Sequence, residues 1–236
     1  GLYCHTDIAP EPRLRSYHYE KYKKCVDHGV QLITIFGDEY NNRKEQVINR
    51  LKSLVGLNTR IHGRICQVQK IDNETAFDFT NKNHIQKLKV PPKHSYGLYY
   101  NKILQEVVTI NHHHRKNNIY VINRVCSLPC VSVVGGFSKI LSFIKKEGLF
   151  DELYTWSDNR WSNGNLYIKS GFILEKELPP DYSYVDLANP KKRLSKQSCT
   201  KKALKIPDSI SESLYMTNLG YGKIWDCGKK RFVIKF

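Results

Sequence analysis

The sequence predicts a mixed α/β fold, and three observations support that prediction. Short β-branched apolar runs alternate with longer segments whose apolar residues recur at helical spacing. Glycines stand where several of those helical segments would end. With 236 residues, 40% of them hydrophobic, the chain has room for one large domain or two small ones and can form a packed core. The predicted regions are 1–56, 57–186 and 187–236.

The region 1–56 predicts a helix, a strand and a second helix. The segment YHYEKYKKCVDHG has helical character and would end at Gly29. The β-branched run VQLITIF, from Val30 to Phe36, predicts a buried strand. The segment NRKEQVINRLKSLVG predicts a helix that stops at Gly56. Three elements are too few for a core of their own, so this region must pack on further structure.

The region 57–186 predicts an α/β arrangement that begins with a hairpin. The aromatic run YGLYY and the run ILQEVVTI predict two strands joined by a turn at Asn101 and Lys102. The segment CVSVVGGFSKILSFIKKEG predicts a strand, the pair Gly135 and Gly136, and an amphipathic helix. Further strands are predicted at RICQVQKI, IYVINRVCSL, ELYTWSD and FILEKEL, and short helices at ETAFDFTNKNH and NGNLYIKSG.

The stretch DNRWSNGNLYIKSGF, Asp158 to Phe172, predicts a turn from a strand into a short helix. Ser162 or Asn163 is suited to cap that helix. Arg160 and Trp161 precede the cap and need not be buried. In a DNA-binding protein, an exposed arginine beside a tryptophan can pair with a phosphate while the ring stacks on a base. The alternative is that Arg160 packs structurally on Trp161, and the sequence leaves both interpretations open.

The region 187–236 is strongly basic. The chain carries 38 Lys and Arg against 22 Asp and Glu, a net charge of +16, and this last region holds 12 basic and 3 acidic residues. Charge concentrated in this way favours a polyanionic partner, most often nucleic acid. A final hairpin is predicted around Cys227 and Gly228. The predicted DNA-binding residues of this region are Lys191, Lys192, Arg193, Lys196, Lys201 and Lys202.

Several other classes of protein are disfavoured. Seven cysteines without a CxxC pair predict reduced thiols rather than a zinc site. The sequence contains no run of about 18 apolar residues, so no membrane span is predicted, and no signal peptide is visible. The histidine run in 112–118 predicts an exposed loop, since neighbouring side chains point apart and rarely share one metal ion.

The N-terminal region offers groups for metal-assisted hydrolysis. Such a site needs carboxylates to hold Mg²⁺ and a base to activate water. A terminal histidine is more often structural than catalytic, so this pattern alone is a weak predictor. The available groups are His5, Asp7, His18, Lys21, Asp38 and Glu39.

The segments GLYCH, YHYEKYKKCVDHG and IFGDEY resemble, in that order, the end of the nuclease domain of phage homing endonucleases related to very-short-patch-repair endonucleases, a PD-(D/E)XK-like branch. The resemblance implies a divalent metal, expected to be Mg²⁺, with Asp38 as a ligand. It further implies catalytic roles for His5, His18, Lys21 and Glu39. His5 would act as base or transition-state stabiliser, and Lys21 would hold the phosphate.

The same resemblance implies that the chain is N-terminally truncated, because that family places further acids ahead of the histidine segment. It implies a phage protein acting in the host cytoplasm on double-stranded DNA, with no membrane partner. The oligomeric state stays open. The expected function is therefore that of a homing endonuclease fragment that hydrolyses DNA phosphodiester bonds, active only if a longer frame supplies the missing acids.

The order of GLYYNKILQEVV, VVGGFSK and LYIKSGF resembles the acyl-CoA N-acetyltransferase (GNAT) fold. A glycine pair at a strand-to-helix junction exposes backbone N–H groups that can hold phosphate. The resemblance implies a GNAT-like domain over 57–186, while CoA binding is expected to be unlikely because the loop lacks the family's usual lead residues. Two alternative functions follow, a non-catalytic DNA-binding remnant and an acyl-CoA-dependent N-acetyltransferase.

Overall fold

The computed structural model describes residues 1–113 and 116–236. The helices are α1 (Tyr17–Asp27), α2 (Gly37–Asn42), α3 (Lys44–Leu54), α4 (Asn73–Asn83), α5 (Gly136–Glu147), α6 (Asn165–Lys169), α7 (Lys201–Leu204) and α8 (Glu212–Asn218). The strands are β1 (Thr59–His62), β2 (Gln67–Lys70), β3 (His94–Tyr100), β4 (Ile103–His113), β5 (Lys116–Ser127), β6 (Val131–Val134), β7 (Glu152–Asp158), β8 (Ile173–Leu178), β9 (Tyr182–Asp186), β10 (Arg193–Ser195), β11 (Tyr221–Trp225) and β12 (Lys229–Lys235).

The chain divides into two compact units, each assembled from separate stretches. Unit 1 contains 1–42, 157–164 and 176–230, and unit 2 contains 43–156, 165–175 and 231–236. This division differs from the three consecutive regions expected from the sequence. The expected boundaries lie at shifts in composition, whereas the units follow which strands lie side by side.

The main sheet of unit 2 has seven strands in the order β2-β3-β4-β5-β7-β12-β8. Strands β2 to β5 pair antiparallel with their neighbours, and β5 pairs with β7 in parallel. The turn between β3 and β4 is the one predicted, since Asn101 and Lys102 have φ angles of 49° and 64°. Two consecutive residues with positive φ are typical of the type I′ turns that join two-residue hairpins.

Helix α5 covers one face of this sheet. Its apolar stripe, Phe137, Ile140, Leu141 and Ile144, is buried as the sequence predicts. The stripe packs with Tyr96, Leu98, Val108, Ile110, Ile122 and Leu153 from the strands. The β-branched and aromatic residues that define the strands therefore supply the core of unit 2 as well.

Unit 1 is built around a three-stranded antiparallel sheet in the order β10-β9-β11. One face of the sheet packs Val185 and Ile224 against Leu2 and Phe36. Thr6 forms an isolated antiparallel bridge with Ile224 at the outer edge of β11. The other face packs Tyr184 with Cys199 and Met216. The N-terminal segment is therefore included in the core of this unit.

The strand predicted for Val30 to Phe36 does not form. These residues have no regular secondary structure, and Val30 is exposed. They reach a distant main chain through the Thr34 N–H, which donates to the Arg160 carbonyl, and through Gln31 Nε2, which donates to the Trp161 carbonyl. Only Phe36 enters the core of unit 1. A β-branched run without a ladder partner does not become a strand, because its propensity depends on packing against a neighbour.

The predicted terminal hairpin is also wrong. The turn exists, with Gly228 at a φ of 76°, but the strands on its two sides belong to different sheets. Strand β11 pairs with β9, while β12 lies between β7 and β8.

Among the described residues, no helix is both long and apolar enough to cross a membrane. Of the histidine run, His112 and His113 end β4, so the exposed loop predicted there does not hold for them, and His114 lies outside the described residues.

Candidate active site

The parallel pairing of β5 with β7 stops after two residue pairs. Tyr120 lies opposite Leu153, and Val121 lies opposite Tyr154. Strand β5 then continues to Ser127, and within the described residues none of these later positions pairs with β7. The two strands therefore diverge, and one backbone edge of β5 is left without a strand partner.

An irregularity in β5 lies directly beside this divergence. In the ladder with β4, Ile122 lies opposite Ile110 and Arg124 lies opposite Thr109, so Asn123 has no partner across the strand. One extra residue of this kind bends a strand and increases its twist. The bulge at Asn123 thus accounts for the departure of β5 from β7 at this position.

Thr155 and Tyr167 mark the point where the strands separate. The Thr155 hydroxyl on β7 donates to the Ile122 carbonyl on β5 at 3.3 Å. Tyr167, on α6, packs its ring against Phe137, Phe172 and Phe232. Its hydroxyl lies near enough to the Thr155 side chain for that side chain to lower the pKa of the phenol. The segment LYIKSGF predicts a core position for Tyr167, and its ring is packed there, but no feature of the sequence indicates a role for its hydroxyl.

The charges around Tyr167 act on its proton. Burial raises the pKa of Tyr167, while the Thr155 side chain and the positive charges of Arg124 and Arg50 lower it. The balance keeps the phenol protonated near neutral pH. Arg124 is held by the carbonyls of Gln86 and Asn123, at 3.0 and 2.6 Å from its guanidinium nitrogens. A protonated phenol beside fixed cations can donate a proton to a group that develops negative charge.

The N-terminus of α5 lies at the level of the free end of β5. Leu98 lies opposite Glu106, which in turn lies opposite Ser127, the last residue of β5. A Cβ on Gly136 would come within 3.1 Å of the Leu98 side chain and within 2.9 Å of Val133. Gly135 is exposed, has a φ of 74°, and has open space where a Cβ would stand. The first-turn N–H groups of a helix lack internal acceptors and attract anions.

Glu106 is a buried acid that the sequence did not predict. It is 4% exposed, and the Ser127 hydroxyl donates to its Oε2 at 3.1 Å. Its Oε1 is buried without a hydrogen-bond partner among the described residues. Burial raises the pKa of Glu106 to about 7, and the bond from Ser127 opposes that rise.

The predicted nuclease residues lie in unit 1, in a different chemical setting. The His5 and His18 rings stack with their centroids 5.0 Å apart, and the His18 ring meets the edge of Phe36. Burial, followed by the charges of His5 and Lys21, lowers the pKa of His18 to about 4. Lys21 is exposed. His18 is therefore neutral at physiological pH and contributes to the packing around Phe36.

The acids predicted to serve a metal ion are bound to arginines instead. Asp38 and Glu39 begin α2 rather than ending a strand. Arg193 Nε contacts Asp38 Oδ1 at 2.8 Å, and Arg160 Nη1 contacts both Glu39 oxygens at 2.9 Å. Phe36 lies against both guanidinium groups, at 4.8 Å from Arg160 and 4.1 Å from Arg193. In the described residues no group of three or more His, Cys, Asp or Glu could hold a metal ion.

Arg160 and Trp161 are not exposed, which corrects the expected surface for DNA. They are 4% and 7% exposed. Arg160 also contacts Asp158 at 2.8 Å, and although burial alone would lower the pKa of Arg160, the carboxylates of Asp158 and Glu39 raise it. A charge with two buried partners is not available to a phosphate. The predicted cap at Ser162 or Asn163 does not form, because α6 begins at Asn165 and the Ser162 hydroxyl accepts from the Gly164 N–H in the turn before the helix.

The basic segment provides a free cationic surface only at some of its positions. Lys191, Lys192 and Lys202 are exposed, whereas Arg193 belongs to the buried ion pairs with Asp38 and Glu39. Lys196 contacts Asp181 at 3.0 Å. Lys201 donates to the Asp208 carbonyl at 3.0 Å. The binding of DNA by these lysines stays a prediction.

No protein-family model and no curated protein matches the chain. Among solved structures, the IAA acetyltransferase from Bacillus cereus ATCC 14579 is 13% identical, with a TM-score of 0.41 over 72% of this chain and 99% of that one. The Bacillus subtilis acetyltransferase in complex with CoA is 14% identical, with a TM-score of 0.38 over 72% and 97%. A GNAT family acetyltransferase from Elizabethkingia anophelis with acetyl-CoA bound is 11% identical, with a TM-score of 0.38 over 73% and 99%.

These similarities correct two expectations. The expected relationship to homing endonucleases is wrong, because the similar structures are consistently acetyltransferases. The nuclease remnant expected at 1–56 and the expected phage origin depended on that relationship and are not supported either. The expectations that the cofactor is Mg²⁺ and that CoA binding is unlikely are also wrong, because two of the structures just described hold CoA or acetyl-CoA. The mixed α/β fold is confirmed. These three TM-scores are below 0.5, so the similarities carry no argument about the function of this chain.

We expect Glu106→Gln to stabilise the protein in a pH-dependent way. The folded-state pKa of Glu106, about 7, lies above the ordinary value of 4.5, so folding binds a proton and wild-type stability falls as pH rises through this window. The variant should gain nothing at pH 4.5 and about 3 kcal/mol by pH 8 in the free energy of unfolding. Urea unfolding across this range measures the difference. The exposed Glu74→Gln is the control, and a constant difference for Glu106→Gln would contradict the buried-acid assignment.

We expect Arg160→Met to lower the free energy of unfolding by about 3–5 kcal/mol, because it leaves Glu39 and Asp158 buried with fewer counter-charges. Lys192→Met, which changes an exposed lysine, should cost less than about 0.5 kcal/mol. Urea unfolding at pH 7 measures both. A loss below about 1 kcal/mol for Arg160→Met would show that Arg160 does not hold this ion-pair network.

Proposed function

We propose that the chain is an acyl-CoA-dependent N-acetyltransferase whose site is the opening between β5 and β7. The observation that carries the proposal is the end of the parallel ladder at Val121 and Tyr154, with β5 continuing alone. Ligands of α/β proteins bind where neighbouring strands separate at their carboxyl ends. Here that opening has a helix N-terminus at one end and a protonated phenol at the other.

The residues present fit an acyl-CoA. The arm of CoA contains two amide groups, which can pair with the free edge of β5 from Asn123 to Ser127 as an added strand does. Its phosphates are anionic, and the first turn of α5 offers N–H groups next to the exposed Gly135. Unit 2 carries 21 basic and 9 acidic residues, which favours an anionic ligand further.

When bound, acetyl-CoA supplies a thioester carbonyl that an amine can attack. Tyr167 is placed to give its proton to the sulfur that leaves as a thiolate, since its hydroxyl lies beside Thr155 at the point of divergence. Arg124 and Arg50 place positive charge near the same position, which favours developing negative charge. Thr155 acts as a positioning residue because its hydroxyl donates to the Ile122 carbonyl beside Tyr167.

Glu106 does not participate in this step. It lies opposite Ser127, five residues beyond Ile122, or about 16 Å along an extended strand. Its raised pKa is explained by burial beneath the start of α5. The proton of the acceptor amine is therefore not assigned to this carboxyl group.

We expect Gly135→Asp to weaken CoA binding more than about tenfold, because it puts a carboxylate where the phosphates would lie. Gly148→Asp is the matched control. Gly148 ends the same helix, has a φ of 63°, and also has open space for a Cβ, so the backbone strain is similar. That control should change affinity less than about twofold. Isothermal titration calorimetry of the full chain with CoA measures both, and equal effects of the two variants would contradict a phosphate site at the N-terminus of α5.

We expect Tyr167→Phe to keep the affinity for CoA within about twofold and to lower the rate of thiol release from acetyl-CoA about 100-fold. The acceptors to test are a polyamine, a lysine-containing peptide and an aminoglycoside, with released thiol read by a chromogenic disulfide. Tyr215→Phe in α8 is the control and should leave the rate unchanged. A Tyr167→Phe protein that transfers acetyl groups at the wild-type rate would remove the phenol from the mechanism.

A further inference from the structure

The face of the three-stranded sheet of unit 1 that packs Tyr184 with Cys199 and Met216 also carries aromatic rings and cations, at the end where Tyr182 pairs with Trp225. Tyr182 and Trp225 lie opposite each other on β9 and β11, so their side chains share a face. Their ring centroids are 5.0 Å apart, and neither ring is fully buried. Arg15, Lys196 and Lys223 surround them. These five residues are called the aromatic-basic face.

The three cations are in contact with the rings. Lys196 Nζ lies 4.6 Å and Lys223 Nζ 4.9 Å from the centroid of Tyr182. Arg15 Cζ lies 5.6 Å from the centroid of Trp225, and Arg15 is exposed. Exposed cation–π contacts are weak, so an anionic ligand can recruit the cations without a large loss.

The nearby acids offset only part of this charge. Glu212 accepts hydrogen bonds from the hydroxyls of Tyr182 and Tyr184 at 2.8 and 3.1 Å. Asp226 pairs with Lys229 at 3.2 Å. Asp181 contacts Lys196, and half-exposed pairs of this kind contribute little. Beside the face, the segment from β10 to α7 adds the exposed Lys191, Lys192, Lys202 and Lys205.

We propose that the aromatic-basic face binds a single-stranded nucleic acid. Trp225 stacks on an unpaired base, and Arg15, Lys196 and Lys223 contact the phosphates on either side. Base stacking on aromatic rings together with a cationic track is the chemistry by which single strands are held without sequence preference. A duplex hides the faces of its bases, so stacking on the sheet favours an unpaired strand over the double-stranded DNA expected from the sequence.

This proposal is independent of the acetyltransferase assignment. It rests only on residues of unit 1, and it replaces Arg160 and Trp161, which the sequence suggested for the same chemistry and which are buried. Within unit 1, the tryptophan that is not buried is Trp225.

Fluorescence anisotropy with the full chain tests the proposal. The probes are a labelled mixed-sequence DNA of about 12 nucleotides, the same sequence as a duplex, and its RNA counterpart, between about 50 and 300 mM NaCl. We expect the single strand to bind at least about tenfold tighter than the duplex. The log–log salt slope should be about −2 for three phosphate contacts. A preference for the DNA or for the RNA strand would show whether the protein distinguishes deoxyribose from ribose, and either preference supports the proposal.

The variants separate stacking from charge. Trp225→Ala should weaken single-strand binding by about 5- to 100-fold. Trp225→Phe keeps a ring and should stay within about threefold of wild type, and Lys24→Ala, an exposed lysine on α1, within about twofold. If thermal melting shows that Trp225→Ala is unfolded, Arg15→Ala is used in its place, with an expected loss of at least about threefold. Equal or tighter binding of the duplex, unchanged binding by a folded Trp225→Ala protein, or no binding at the lowest salt concentration would overturn the proposal.

Discussion

The geometry of unit 2 depends on one extra residue in a β-strand. Asn123 has no partner across from it in β4, and the strand that carries it leaves β7 at that position. A regular ladder would continue to pair β5 with β7 and would leave no backbone edge free. The bulge therefore converts a packed parallel pair into an opening, and Thr155 bridges its closed end through the Ile122 carbonyl. The chemical roles proposed for Tyr167 and for the first turn of α5 depend on this opening.

In unit 1 the comparable constraint is electrostatic. Arg160 and Arg193 place two guanidinium groups against Phe36 and bind the acids of α2 and Asp158. Buried charges persist only when they are paired, so these contacts fix where the loop around Arg160 and the start of β10 lie relative to α2. The same pairing explains why acids and arginines that look available in the sequence cannot serve a metal ion or a phosphate. Their charges are already neutralised within the fold.

Elements with a strong local signal could be predicted from the sequence. The helix α5 has an unbroken apolar stripe and glycines at both ends, and the turn at Asn101 and Lys102 joins two runs of strong strand formers. Elements defined by their partners could not be predicted. The run from Val30 to Phe36 has strand composition but no neighbouring strand, and the residues after Gly228 join a sheet whose other strands lie far earlier in the chain. The motif around Tyr167 was visible as a helix end, yet its role depends on Thr155 and Arg124, which only the sheet brings near it.

The central claim is that the free edge of β5 receives an acyl-CoA, and amide hydrogen exchange measures that edge directly. The exchange rates of the Asn123 to Ser127 amides should be compared with and without millimolar acetyl-CoA in the full chain. The account predicts slower exchange across these residues and in the first turn of α5, with the amides of β9 and β11 unchanged. Exchange in β5 and α5 that is the same with and without acetyl-CoA would contradict the assignment of this opening as the binding site.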